Sequence, residues 1–230
     1  MHPTAPPRHR LLNDYTDADF TPAILYVDDF ILVADKPAGL LSIPAVGDDR
    51  QDSLVTRIQA DHPRAQIAHR LDEATSGIVL FSMYQAMLRR IHWAFRQRVV
   101  GKRYQAVVHG HIVEDEGEID LPLAPVPDRN PWHQVDHDNG LRAVTRYTVV
   151  DRFERLGEPV SRVALKPITG RTHQLRVHLL ALGHPIIGDP LYAPDGSAQR
   201  HKRLHLHASQ LSICHPFHRT ARCFDSVVPF

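Results

Sequence analysis

With 230 residues, 43% of them hydrophobic, and a formal net charge of +1, the chain has material for one large globular core and lacks the strongly basic balance of a purely electrostatic nucleic-acid binder. It has no apolar run near the ~18 residues of a membrane span, and residues 1–20 are rich in Pro and charge without an apolar signal core, so a cytoplasmic protein with no membrane contact is expected. Its two cysteines, Cys214 and Cys223, lack C-x-x-C spacing and exclude a disulfide framework, which leaves reduced thiols.

Residues 1–20 read as a flexible N-terminal segment, and residues 21–230 as a single domain. Residues 23–27 and 30–35 are β-rich and flank Asp28-Asp29, the pattern of a hairpin. Lys36-Pro37-Ala38-Gly39-Leu40 then ends the strand, because Pro removes a backbone donor and Gly admits a turn. Asp52 is the expected N-cap of a helix from 53 to about 60, stopped at His62-Pro63. Next, the polar phrase His69-Arg70-Leu71-Asp72-Glu73-Ala74-Thr75-Ser76-Gly77 runs directly into Ile78-Val79-Leu80-Phe81. Polar chemistry abutting a buried strand is the pattern of an active-site loop. A lone Asp before a strand more often bonds its own backbone in a turn. Asp72, however, is surrounded by a cation, two hydroxyls and a glycine, which makes it the candidate for chemistry.

A second helix is expected from 84 to about 98, with Tyr84, Met87, Leu88, Ile91, Ala94 and Phe95 as its core stripe and Arg89, Arg90 and Arg96 outward. Residues 103–108, 143–150, 160–166, 204–213 and 223–228 carry further strand patterns. Such a run with scattered helices indicates an α+β fold built on a mixed, mostly antiparallel sheet. Residues 121–140, rich in Pro, Asp, Asn and His and without periodicity, read as a long loop of functional interest. Thr169-Gly170-Arg171-Thr172-His173-Gln174-Leu175-Arg176-Val177-His178 opens a helix that Gly183 ends, with Pro185 beyond. Leu175, Leu179 and Leu182 face the core, and His173 and Arg176 share a neighbouring stripe. An Arg on a half-buried face needs a carboxylate, either in a structural ion pair or to hold a catalytic Asp.

Basic residues cluster at 89–90, 96–103 and 200–203, and acids at 114–118. Singly each is an ordinary solvated face; together the basic clusters suit phosphates. Seventeen histidines invite a metal, but the spacing of Cys214, His215, His218 and Cys223 is not that of zinc ligands, and no metal is expected. A glycosidase would need two carboxylates flanking a sugar, and the adjacent Asp72 and Glu73 point apart in extended chain.

Four ordered stretches carry a resemblance: 36–40; His69-Arg70-Leu71-Asp72 with Thr75-Ser76-Gly77; Lys102-Arg103-Tyr104 leading into 107–110; and 169–178 followed by 183–192. They resemble the motifs of the RluA family of pseudouridine synthases across about residues 24–228. The resemblance implies an enzyme that isomerises uridine in RNA to pseudouridine, with the family aspartate at Asp72, the family tyrosine at Tyr104 and the basic partner of the aspartate at Arg176. It implies no metal or organic cofactor. RNA is the expected partner, a 23S rRNA or tRNA stem-loop, contacted by His69, Arg70, Lys36, Arg171, His173, Arg96, Lys102 and Lys202, with the enzyme acting as a monomer. Residues 1–20 are too few for the S4-type RNA-binding domain that many relatives carry. The competing reading is a catalytically silent RNA-binding module, which would have no need of Asp72, Tyr104 and Arg176 together.

Overall fold

In the computed structural model, residues 21–47, 50–194 and 196–230 are described; the segment expected to be flexible over 1–20 lies outside them. The hairpin forms as expected from β1 (Ala23–Val27) and β2 (Ile31–Lys36). Asp28 shapes its turn by accepting from the backbone N–H groups of Phe30 and Ile31 at 2.8 and 2.9 Å. Helix α1 (Leu54–Asp61) begins one residue later than expected. Ser53, not Asp52, is the N-cap, with Ser53 and Thr56 exchanging side-chain to backbone bonds in a capping box. The Asp52 carboxylate is instead taken by Arg57, at 2.7 and 2.9 Å.

The remaining elements are β3 (Gln66–Ile67), β4 (Ser76–Ser82), α2 (Gln85–Arg96), β5 (Gly101–His109), β6 (Glu116–Asp120), β7 (Leu123–Pro125), β8 (His133–Val135), β9 (Val144–Arg155), β10 (Glu158–Pro167), α3 (Gln174–Ala181), α4 (Ser197–Arg200), β11 (Leu206–Cys214) and β12 (Ala221–Asp225). One ten-stranded sheet runs β1-β2-β4-β11-β5-β10-β9-β6, with β12 beside β11 and β3 beside β4. The fold is α+β with a mixed, mostly antiparallel sheet: among the described strand pairs only β4 and β11 are parallel.

That parallel pairing places the loop before β4. Gly77 has φ +114° and a Cβ there would lie 2.4 Å from the Ala208 carbonyl oxygen, so only glycine lets β11 approach. β4 is buried along its whole length because helices cover both of its faces. Leu54 and Ile58 of α1 pack with Val79 and Phe81, while Leu88 and Ile91 of α2 pack with Ile78 and Leu80. Tyr84 departs from the expected core stripe of α2: it is the N-cap and is exposed. On the other half of the sheet, Leu175 and Leu179 of α3 pack with Ala106, Val108, Val163 and Leu165.

Residues 121–140 are more ordered than their composition suggests. They contain the β7–β8 hairpin, whose strands are too short to show alternation. Leu123, Trp132 and Val135 pack with Val177 and Tyr192, and the His133 N–H donates to the Tyr192 hydroxyl at 2.9 Å.

Candidate active site

The loop 69–77 is fastened from beneath by the turn 36–42. Lys36 Nζ donates to the carbonyls of Pro37, Leu40 and Glu73 at 2.9, 2.7 and 3.0 Å, and the Gly39 N–H donates to Glu73 O at 2.8 Å. Ser42 Oγ both donates to Leu71 O and accepts from Leu71 N. Behind the loop, Ser76 Oγ bonds His207 Nδ1 at 2.8 Å and accepts from the Arg203 guanidinium. A short polar segment pinned on two sides holds Asp72 in one place, with its side chain 28% exposed.

Arg176 faces it from the first turn of α3, but its main partner is Asp189. Nε and Nη2 donate to the two Asp189 oxygens at 2.7 Å each, in a side-on fork. Nη1 is left for Asp72 Oδ2, at 3.3 Å. Asp189 Oδ1 also accepts from Leu191 N and Tyr192 N, and the Tyr192 ring lies 5.0 Å from the guanidinium carbon. Burial works against this charge, yet the carboxylates of Asp189 and then Asp72 raise the guanidinium pKa further. Arg176 thus forms a structural ion pair through its fork, and the fork holds Asp189 rather than Asp72, which only the spare arm meets. Asp189 was missed in the sequence because Gly188-Asp189-Pro190 looks like a turn; its distance in sequence from Arg176 gives no pairing signal.

Helix α3 starts at Gln174, later than the stretch from Thr169 suggests, because Gln174 locks the preceding loop. Its Oε1 accepts from Thr169 Oγ1 and Arg171 N, and its Nε2 donates to Val144 O and Thr145 Oγ1. His173, the N-cap, takes φ +54°, a left-handed conformation unusual for a side-chain-bearing residue. The turn sends its ring toward Asp72, with Nε2 3.8 Å from Oδ2. The Tyr192 hydroxyl accepts from His133 N, which leaves its own proton for His173 Nδ1 at 2.7 Å. Burial, then Arg176, lowers the His173 pKa to about 4, so the ring is neutral near pH 7.

Asp72, Thr75, Tyr104, Thr169, Arg171 and Arg176 line one pocket of about 280 Å³ together with His69, Arg70, Phe95, Lys102 and His173. That volume sits near the lower end of the ~300–1,000 Å³ of small-ligand sites and suits one extruded nucleoside. The chain matches the family model described as RNA pseudouridylate synthase over residues 30–181. It is 45% identical over 207 residues to the dual-specificity RNA pseudouridine synthase RluA of Escherichia coli K12, covering 90% of this chain and 93% of that one. Against the protein of the same name in Pasteurella multocida it is 43% identical over 193 residues, covering 84% and 87%. Among solved structures, human RNA pseudouridylate synthase domain containing 1 aligns with TM-score 0.78 at 30% identity, over 91% of this chain and 84% of that one. The chain belongs to the RNA pseudouridylate synthase family.

As in that family, it is an isomerase acting on RNA. The three residues that the resemblance assigned to catalysis, Asp72, Tyr104 and Arg176, converge on the pocket, and so do His69, Arg70, Lys102, Arg171 and His173. Three other expected RNA contacts do not. Lys36 is fully buried with its three carbonyl partners, so it holds the loop and cannot reach RNA. Burial pushes it down to about 7, but three acceptors for three protons favour the ammonium. Arg96 and Lys202 are exposed and lie outside the pocket lining. His69 reaches the pocket as a neutral ring: its Nε2 accepts from Leu80 N at 3.1 Å, and burial lowers its pKa to about 3. Burial and the Asp72 charge raise the Tyr104 pKa well above its ordinary value, so the phenol keeps its proton.

The histidine cluster near the C-terminus resolves into a clasp. Asp28, His215 and His218 bring their ligand atoms within 4.8 Å of one another. His215 Nδ1 accepts from the backbone N–H groups of Phe217 and His218. Nε2 therefore carries the proton and donates to Asp28 Oδ2 at 3.0 Å. An atom committed as a donor offers no lone pair to a metal. Cys214 and Cys223 are both exposed and free.

Proposed function

We propose that Asp72 is the catalytic carboxylate and that it acts on uridines in the loops of structured RNA, in 23S rRNA, tRNA or both. The observation that carries this reading is the state of the Asp72 carboxylate. Asp72 lines the pocket; its Oδ2 is held by Arg176, whereas no described residue hydrogen-bonds Oδ1. Isomerisation breaks the N1–C1′ bond, joins C1′ to C5, releases the C5 proton and places a proton on N1. A carboxylate oxygen can serve by attacking the sugar or the base, or by taking a proton from the sugar. The neutral phenol of Tyr104 is suited to covering the uracil with its ring.

The target base must leave its stack to enter so small a pocket, at a cost of a few kcal/mol. A loosely stacked loop uridine lowers that cost, and the exposed Arg70 at the rim can fill the gap with its guanidinium plane. Arg171 and Lys102 in the pocket, with Arg96, Lys202 and the 121–140 region outside it, supply phosphate contacts. Residues 21–230 act as one catalytic domain. A monomer working in the cytoplasm belongs to the same reading. No described helix is long and apolar enough to cross a membrane.

The test is Asp72→Asn, which keeps size but removes the nucleophile and base. Pseudouridine formation is expected to vanish while RNA affinity stays within a few fold; turnover by the purified variant would refute the assignment. Carbodiimide labelling with primer extension, on total RNA from cells with and without the gene, identifies the target. Loss of a site in a long regular duplex, or of none, would refute loop recognition.

A further inference from the structure

Residues 74–113 contain no aspartate or glutamate in forty positions but six lysines and arginines. Much of this charge is on α2, where Arg89, Trp93 and Arg96 follow one another at spacings of four and three and so share a face. All three are exposed, Trp93 by 56%, and the opposite stripe of Leu88 and Ile91 is buried. Among the described residues neither Arg89 nor Arg96 meets a carboxylate. The acids Asp115, Glu118 and Asp120 belong to the far margin of the sheet at β6, where Arg152, Arg146 and Arg142 pair with them. A net charge of +1 therefore hides a division of the surface into a basic side and a neutralised one.

The end of α2 reaches the catalytic pocket. Phe95 lines it and packs on the His69 ring at 5.0 Å between centroids. Lys102, a short way on in the chain, lines it too. Phe95 and Trp93, two residues apart, point to opposite sides of α2, so an RNA strand that leaves the pocket meets the outer face only by passing around the end of the helix. An aromatic ring between two unpaired cations is how single-stranded nucleic acid is gripped, the ring stacking on a base and the cations meeting the phosphates on either side.

We propose that the outer face of α2 is a second RNA contact, outside the catalytic pocket, in which Trp93 stacks on an unpaired base flanking the target uridine and Arg89 and Arg96 hold adjacent phosphates. This rests on the pseudouridine synthase reading and adds to it the surface that grips the flanking strand.

The chain has two tryptophans, and Trp132 is packed on Tyr192, so Trp132→Phe makes Trp93 the only indole. Titrating this variant with a stem-loop RNA that the enzyme converts is expected to quench Trp93 emission and shield it from acrylamide. Trp93→Ala is expected to weaken RNA binding on the order of tenfold, the loss of one stacked base, with the effect on KM rather than kcat. Arg89→Gln and Arg96→Gln should each reduce the slope of log affinity against log salt by about one. Unchanged emission and acrylamide access with RNA bound, or unchanged affinity of Trp93→Ala, would overturn the proposal. So would shielding of Trp93 by self-association without RNA, seen in sedimentation, since the face would then bind protein. An enzyme that converts RNA while Trp93 stays silent refutes this contact alone; an enzyme that converts no RNA refutes the reading beneath it.

Discussion

The pair Arg176–Asp189 makes stability and activity separable. Their side chains are 3% and 0% exposed and share two hydrogen bonds of 2.7 Å. Removing one partner strands the other charge in the interior, which costs about 3–5 kcal/mol, whereas replacing both by apolar residues of similar volume is often neutral or stabilising. Arg176→Met and Asp189→Leu should therefore each lower the free energy of urea unfolding by about 3–5 kcal/mol. The double variant should recover the part of that loss due to the stranded charge, but not the part due to the Leu191 and Tyr192 N–H groups, which lose their acceptor with Asp189. Activity behaves differently, because Nη1 of Arg176 is also the arm that meets Asp72 at 3.3 Å. The double variant, folded and stable, should remain deficient by at least a hundredfold in kcat, equivalent to about 3 kcal/mol of lost positioning. Urea titration gives the first quantity, and tritium release from 5-tritiated uridine in RNA gives the second. Near-normal activity in the double variant would refute the role of Arg176 on Asp72. Failure of the double variant to regain stability would refute the account of the buried pair.

Three further outcomes are expected. Tyr104→Phe should keep activity within about tenfold and Tyr104→Ala should lose far more, since the phenol stays protonated and the ring does the covering; a dead but RNA-binding Tyr104→Phe would assign chemistry to the hydroxyl. Gly77→Ala should destabilise by more than ~2 kcal/mol through its clash with Ala208, while Gly157→Ala, at φ +76° with nothing within 4 Å, should cost only the ~1–2 kcal/mol of its backbone conformation; equal melting temperatures for the two would refute the close-approach argument. Burial holds His69 and His205 at about 3 and His173 and His207 at about 4. Unfolding therefore takes up protons below the ordinary histidine value of ~6.5, and stability should fall by up to ~1.4 kcal/mol per ring for each pH unit from there down to about 4. A melting temperature flat across that window would show that these rings are charged in the folded protein.

Local sequence was sufficient for what depends on local chemistry. Alternation and apolar runs marked the hairpin β1–β2 and the buried strand β4, helical spacing marked the core face of α2, and Gly183 marked the end of α3. The ordered motifs pointed to the family and, through that resemblance, to Asp72, Tyr104 and Arg176 as one set, since a motif is legible whatever the distance in the chain to the next. Tertiary structure decided the pairing of groups far apart in sequence. The role of Lys36 depends on the Glu73 carbonyl, 37 residues away, and a lysine in a turn looks like an RNA contact until that carbonyl is placed above it. The main partner of Arg176 proved to be Asp189, because the chain after α3 folds back to lie beside the helix. The hairpin within 121–140 has strands of three residues each, too short for periodicity, and exists because Leu123 and Trp132 find Val177 and Tyr192 to pack against. Spacing shows which groups share a face of one element; contacts between elements depend on how the sheet closes, and that is set by the packing of the whole chain.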